Sequence, residues 1–195
     1  MISFIFDEEQ ATQAMLYLLS LSNDRIRFIY ALKMLYLADR EALSSYGYTI
    51  TTDRYYAMKY GPVLSNIYDC IKSCDAPKQY DVGSFFRKYI AKNEEKELIP
   101  KVDTKSFNYD LLSEESKEII KNIYNRFKDY SFADLIAYCH TLGEWEDPST
   151  SSMPISIESI IGNAVEQKNK NLILEQLEID SSIQRNNFRV LGRGK

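Results

Sequence analysis

The residues best suited to chemistry in this sequence are its one histidine and its three cysteines. His140 directly follows Cys139, whereas Cys70 and Cys74 lie one helical turn apart. Neighbouring helix positions point about 100° apart, so the Cys139 thiol and the His140 imidazole are not expected to act as a nucleophile and its base. The same few side chains are too scattered to form a metal site. We predict structural roles for them, with no catalytic residue, no metal and no cofactor.

Motifs for phosphate or acyl chemistry are missing from the sequence. It contains seven glycines and has no P-loop, no dinucleotide-binding glycine pattern and no nucleophile elbow. The sequence therefore predicts a protein that works by binding a partner and is not an enzyme.

A pattern that is more informative about function is a group of charged residues that lie close to tyrosines in the sequence. Asp39 and Arg40 end an apolar helical run, and Asp53, Arg54 and Lys59 interrupt a Tyr-rich segment. A carboxylate buried without a partner is costly, so we predict that Asp39 pairs with Arg54 or Lys59.

Two interpretations of this pattern are open. In the first, a single ion pair fixes a strand to a helix. In the second, the charges form the polar centre of a protein interface ringed by tyrosines, a residue mixture common in binding hot spots. The candidate partner-binding residues are then Tyr36, Asp39, Arg40, Arg54, Tyr55, Tyr56, Lys59 and Tyr60.

A long helix is needed to position the first of these residues. We predict that it begins at an N-cap within Ser22-Asn23-Asp24 and runs to about Tyr46, where Gly47 ends it. Both of its faces are apolar, which is typical of a central core helix or of a helix covered by a partner.

A short strand is needed to position the others. The alternation from Arg54 to Met58 predicts a strand with Tyr55 and Ala57 on one face. We expect Gly61-Pro62 to end it, with Pro62 in the first turn of a helix that reaches about Ser73.

The rest of the chain is rich in helix signals. We predict helices over Asp7–Leu19, from Ser113, from Ser131 to Gly143, and from Ser156 with a continuation over Leu172–Leu177, and a hairpin between Val82–Ala91 and Glu97–Val102. The predicted fold class is mainly α (α+β): a single helical domain of about six to seven helices with a small two- or three-stranded antiparallel sheet.

The predicted domain organisation has three parts. Residues 1–150 form the domain, residues 151–180 form a helical extension packed on it, and residues 181–195 form a basic, mobile tail. The basic residues of this tail are Arg185, Arg189, Arg193 and Lys195.

Composition narrows the class of protein. Hydrophobic residues make up 45% and charged residues 27% of the chain, as in soluble globular proteins, and the net charge of -4 argues against a surface that binds nucleic acid throughout. The 15 tyrosines suit half-buried sites and interfaces. The odd cysteine count, the acidic start MISFIFDEEQ and the lack of a long apolar run predict a cytoplasmic protein without a membrane span.

Two blocks of the sequence resemble the Panacea domain, the SocA-like antitoxin family. The first is KMLYLADREALSSYGYTITTDRYYAMKYGPVLSNIYD, Lys33 to Asp69, and the second is LSEESKEIIKNIYNRFKDYSFADLIAYCHTLGEW. Together they extend from about Ile26 to Asp147. Matching motif residues with a structural role are Asp53, Gly61, Pro62, His140 and Trp145.

The resemblance implies an antitoxin that neutralises a toxin encoded by a neighbouring gene, in bacterial or phage defence, through stoichiometric protein–protein contact. Two assemblies are compatible with this role: a homodimer, and a heterotetramer with the toxin. One alternative is an adaptor that delivers the toxin to an ATP-dependent protease. Alternatives of another class are a DNA-binding autoregulator, which the mixed charge of the helices disfavours, and an enzyme using His140.

Overall fold

A computed structural model describes residues 2–75 and 82–192 of the chain. The helices in this part are α1 (Glu8–Leu21), α2 (Phe28–Tyr46), α3 (Ser65–Ser73), α4 (Phe86–Tyr89), α5 (Glu114–Phe127), α6 (Phe132–His140), α7 (Ile157–Ala164) and α8 (Gln167–Gly192). The strands are β1 (Ile26–Arg27), β2 (Tyr55–Met58), β3 (Gly61–Leu64), β4 (Ile90–Lys92), β5 (Glu97–Pro100) and β6 (Met153–Ile155). The mainly α fold with small antiparallel sheets is confirmed, although these residues form eight helices and two sheets.

Helix α2 is the centre of the core. It packs against α1, α5, α6, α7 and β3, and its residues from Ala31 to Asp39 are all buried. This arrangement explains why the helix is apolar on both faces, because it has neighbours on both sides. At its C-terminus Gly47 adopts the left-handed conformation with φ 70° and donates its N–H to Leu43 O, as predicted.

The predicted start of α2 is wrong. Asn23 and Asp24 adopt positive φ values of 54° and 58° in a tight turn, and the helix begins only at Phe28. The intervening Ile26 and Arg27 form β1, which pairs with β5. Two residues of edge pairing give no detectable alternation in a sequence, so this strand could not be predicted.

The two sheets are antiparallel and have three strands each. One has the order β1-β5-β4 and the other the order β3-β2-β6. The predicted hairpin between Val82–Ala91 and Glu97–Val102 is confirmed at its centre, where Ala91 pairs with Ile99. Residues 82–89 form turns and the single-turn helix α4 instead of strand.

Gly61-Pro62 does not lead directly into a helix, contrary to our prediction. These residues begin β3, in which Pro62 pairs with Ala57 of β2, and α3 starts later, at Ser65. Proline is compatible with this position because β3 is an edge strand of its sheet.

The C-terminal part adds one strand and two helices. Helices α5, α6 and α7 have the predicted serine N-caps, Ser113, Ser131 and Ser156. Strand β6 pairs with β2, and α7 packs on α2. Helix α8 continues past residue 180; Arg193 and Lys195 of the predicted tail lie outside the described residues. No helix in the described part is long and apolar enough to cross a membrane.

Candidate functional site

In the Tyr-rich hairpin formed by β2 and β3, strand β2 alternates between buried and half-buried side chains, whereas all four residues of β3 are buried. Tyr55 and Ala57 are buried, whereas Tyr56 and Met58 are half-buried on the opposite face, as predicted. The turn that joins the strands presents Lys59 and Tyr60, and Tyr60 is 53% exposed.

Asp39 stabilises the loop that precedes this hairpin. Its buried carboxylate accepts hydrogen bonds from Ile50 N at 2.8 Å, Thr51 N at 3.0 Å, the Thr51 hydroxyl and the Tyr55 hydroxyl at 3.2 Å. Burial raises the pKa of Asp39 to about 7, while the donors from Thr51 and Ile50 act in the opposite direction. The predicted pairing of Asp39 with Arg54 or Lys59 is therefore wrong, because hydroxyl and backbone donors satisfy the carboxylate.

Asp53 connects the hairpin to the first turn of α3. It accepts hydrogen bonds from Asn66 N at 2.8 Å and from Ile67 N at 2.9 Å, two amides with no partner inside the helix. Burial raises the pKa of Asp53, and these amides oppose that shift. Nearby, Arg54 donates to Asn66 Oδ1 at 3.1 Å on the surface.

Glu144 is the polar centre of the site and was missed by the sequence analysis. Its buried carboxylate accepts from Arg40 Nε at 2.6 Å and from the Tyr36 hydroxyl at 3.0 Å. Burial, followed by the charge of Glu144, raises the pKa of Tyr36 well above its usual 10.0. One signal in the sequence could have identified Glu144. Arg40 and Tyr36 belong to a core helix, so their polar groups need an acceptor, and Glu144 is an acidic residue in the second block that resembles the family.

Trp145 links the segment after α6 to the hairpin through a hydrogen bond. Its indole Nε1 donates to Met58 O at 3.1 Å, next to the exposed turn. Its ring also stacks on His140, with ring centroids 3.8 Å apart and planes 9° apart. Within the described residues, His140 Nε2 is buried without a hydrogen-bond partner.

Lys33 lies directly beneath Gly61 and Pro62. It is fully buried, and its Nζ is 3.4 Å from Pro62 O. Gly61 has φ 95°, and a Cβ at this position would lie 2.9 Å from Cys139 Cβ and 3.0 Å from Lys33 Nζ. Burial lowers the pKa of Lys33 to about 8, whereas the same effect raises the pKa of Cys139 to about 11. The site thus holds a thiol that stays protonated at neutral pH, not an activated nucleophile.

A family model, described as Antitoxin SocA-like, Panacea domain, matches residues 32–146. This range is more than half of the chain and contains α2 from Leu32 onward, the hairpin, Glu144 and Trp145. The chain belongs to this family. The family points to a non-catalytic role. Comparisons with curated proteins and with solved structures gave no match.

The predicted partner-binding residues fall into three groups in the Panacea domain. Tyr36, Asp39 and Tyr55 are buried, and their side chains support the fold without reaching the surface. Arg40 is half-buried in its ion pair with Glu144. Arg54, Tyr56, Lys59 and Tyr60 are accessible. Together with Met58, which was not among the predicted residues, they form the surface that we call the hairpin face.

Aromatic side chains extend the hairpin face onto the helical part of the Panacea domain. The Tyr60 ring lies 6.2 Å from Phe132 of α6, and Phe132 lies 6.0 Å from Tyr30 of α2. Phe132 and Tyr30 were not among the predicted partner-binding residues, because only the folded chain brings them close to the hairpin turn.

A cleft of about 400 Å³ opens beside the hairpin face. Arg54 and Tyr56 line one side, and Phe4, Met153 and Ile157 contribute apolar surface. In residues 2–75 and 82–192 no group of three or more histidine, cysteine, aspartate or glutamate side chains could hold a metal ion.

Proposed function

We propose that this protein is an antitoxin that neutralises a cognate toxin, encoded by a neighbouring gene, by direct stoichiometric binding. Membership of the SocA-like Panacea family supports the antitoxin role. The hairpin face is the proposed contact surface for the toxin.

The observation that carries this proposal is the exposed hairpin turn on a rigid base. Lys59 and Tyr60 project from the domain, while Trp145 holds the carbonyl of Met58 immediately before them. Tyrosine and arginine are enriched in binding hot spots, and this face contains Arg54, Tyr56 and Tyr60. A preorganised loop loses little conformational freedom on binding, which favours affinity.

Charge on the hairpin face suggests the chemistry of the partner. Arg54 and Lys59 are exposed and cationic, although the chain as a whole carries a net charge of -4. We expect the toxin to present acidic side chains around an apolar centre that receives Tyr60.

Co-expression with the product of the neighbouring gene tests the proposal. We expect that product to arrest growth when expressed alone, and to be harmless and recoverable in a complex of fixed stoichiometry when this protein is present. A product that is harmless alone, or that stays toxic beside this protein, would contradict the antitoxin role. Neutralisation accompanied by loss of the toxin polypeptide would instead indicate delivery to a protease.

A further inference from the structure

A second cavity, of about 330 Å³, lies where the start of α2 and α3 meet the turn between β4 and β5. Its aromatic wall consists of Phe28, the first residue of α2, and Tyr68 of α3. The two rings are nearly parallel, with planes 18° apart and centroids 6.3 Å apart. Both side chains are half-buried, so part of each ring remains accessible. We call this cavity the lysine–aromatic pocket.

Three lysines line the lysine–aromatic pocket beside these rings. Nζ of Lys72 lies 4.7 Å from the centroid of the Tyr68 ring, and Nζ of Lys92 lies 5.6 Å from the centroid of the Phe28 ring. The third, Lys96, is exposed in the turn between β4 and β5. Ammonium groups are attracted to the faces of aromatic rings and not to their edges. Flat π-surfaces and positive charges therefore meet in one pocket.

The ion pairs of these lysines leave their charge available to a ligand. Lys72 pairs with Asp69 and Lys92 pairs with Asp75, whose side chains are 47% and 63% exposed. Ion pairs to such exposed carboxylates contribute little to stability, so an anionic ligand can replace either carboxylate at small cost. Lys96 forms no ion pair within the described part of the chain.

We propose that the lysine–aromatic pocket binds a nucleoside phosphate. The base stacks on the rings of Phe28 and Tyr68, an interaction that tolerates any base because every base has a π-face. The phosphate groups contact the three ammonium groups. Glu94 is exposed and lines the same pocket, where its carboxylate accepts hydrogen bonds from the ribose hydroxyls.

The size and exposure of the pocket set the expected affinity. A volume of about 330 Å³ is at the lower end of the range of small-molecule sites. The lysines are partly or fully solvated, so each contact to phosphate replaces a contact to water. We therefore expect a dissociation constant on the order of 100 µM.

Titration calorimetry on the full chain with adenosine diphosphate (ADP) tests the proposal. We expect one ADP to bind per chain. Adenosine lacks the phosphates and pyrophosphate lacks the base, so each should bind at least about tenfold more weakly than ADP. Absence of ADP binding at millimolar concentration would overturn the proposal. Pyrophosphate that binds as tightly as ADP would also overturn it, because the rings would then play no part.

Substitutions of the aromatic wall separate stacking from charge. Tyr68→Leu keeps an apolar side chain against the core but removes the ring, so the affinity for ADP should fall at least about fivefold while that for pyrophosphate stays the same. Tyr68→Phe keeps the ring and should bind ADP as the unsubstituted protein does. Equal ADP affinity in Tyr68→Leu and Tyr68→Phe would contradict the stacking.

Substitution of an exposed lysine tests the phosphate contacts without disturbing the core. Lys96→Glu should weaken the binding of both ADP and pyrophosphate at least about fivefold. Lys105→Glu is the matched control, because Lys105 is an equally exposed lysine that does not line the pocket. Equal weakening by both variants would show a general effect of net charge and overturn the site.

An adenosine oligoribonucleotide distinguishes a free nucleotide from a nucleic-acid strand, which carries the same base and phosphate groups. An oligomer that binds no more tightly than ADP supports a free nucleotide as the ligand. An oligomer that binds more tightly, and whose binding is lost in Lys96→Glu, would make the pocket a nucleic-acid site and overturn the proposal. None of these results depends on the antitoxin role.

Discussion

Arg40 and Glu144 form an ion pair in which Nε of Arg40 lies 2.6 Å from Oε1 of Glu144. The Glu144 side chain is fully buried and that of Arg40 is 20% exposed. The pair joins the C-terminal half of α2 to the segment after α6, and the Tyr36 hydroxyl donates to the same oxygen. One carboxylate therefore holds the two blocks of the Panacea domain together beneath the hairpin.

Glu144→Gln should destabilise the protein by about 2–4 kcal/mol, because it leaves the Arg40 charge without its counter-charge in a largely buried place. Urea denaturation followed by circular dichroism measures the change. Glu146→Gln is the control, since Glu146 is exposed, and it should change the free energy of unfolding by less than about 0.5 kcal/mol. Equal stability of the two variants would show that the ion pair does not stabilise the fold.

Lys33→Met should stabilise the protein at pH 7 by about 1–3 kcal/mol, because a buried ammonium with one distant acceptor is replaced by an apolar side chain of similar length. Among the residues that the structure describes, Nζ of Lys33 has Pro62 O, at 3.4 Å, as its one hydrogen-bond acceptor. Lys59→Met, at an exposed lysine, should leave stability nearly unchanged.

The pH dependence of stability should also differ between the unsubstituted protein and Lys33→Met. Burial lowers the pKa of Lys33 from 10.5 to about 8, so the folded protein loses this proton at lower pH than the unfolded chain. Between those values the unfolded chain binds more protons at this position, so the contribution of Lys33 to stability rises with pH. Denaturation at a series of pH values should therefore show the difference in free energy of unfolding between the two proteins shrinking as the pH rises from 7 to 10. A constant difference between the two proteins from pH 7 to 10 would contradict the lowered pKa.

Local features of this fold were predictable from sequence and its long-range contacts were not. The N-caps Ser113, Ser131 and Ser156 were predictable because each serine side chain accepts a hydrogen bond from the backbone N–H only three residues ahead. The alternation of β2 is equally local. The acceptor of Arg40, by contrast, lies 104 residues away, and no periodicity encodes that distance.

Two of the incorrect predictions share one physical cause. The burial of Asp39 predicts a cationic partner, but backbone amides and hydroxyl groups donate the compensating hydrogen bonds instead. Pro62 was assigned to a helix because proline favours a first turn, yet an edge strand also accepts proline. In both cases the local rule allowed two solutions, and the tertiary structure chose between them.

Gly61→Ala should destabilise the protein by about 2–3 kcal/mol, because φ 95° is unfavourable for alanine and the added carbon would lie 2.9 Å from Cys139 Cβ. Thermal or urea unfolding measures the loss. Gly162→Ala is the matched control: it is inside α7, and in the described part of the chain no atom beyond its chain neighbours and the backbone of its own helix lies within 4 Å of the added carbon. That variant should gain about 0.5–1 kcal/mol, as expected for alanine in a helix. Similar behaviour of the two variants would mean that the close approach of Gly61 to Lys33 and Cys139 is not required.

Tyr60→Ala should weaken binding of the neighbouring gene product at least about tenfold, as expected for a tyrosine at the centre of an interface. Tyr60 is 53% exposed and contacts one ring, that of Phe132, so the free energy of unfolding should change little. Titration calorimetry with the purified partner gives the affinity, and growth under co-expression gives the protection. Tyr46→Ala is the matched control, because Tyr46 is 60% exposed and also contacts one ring, that of Tyr48, at the far end of α2. If both variants bind equally well, the hairpin face is not the contact surface. If both lose binding equally, a general effect on the fold explains the loss, so only selective weakening by Tyr60→Ala places the toxin on the hairpin face.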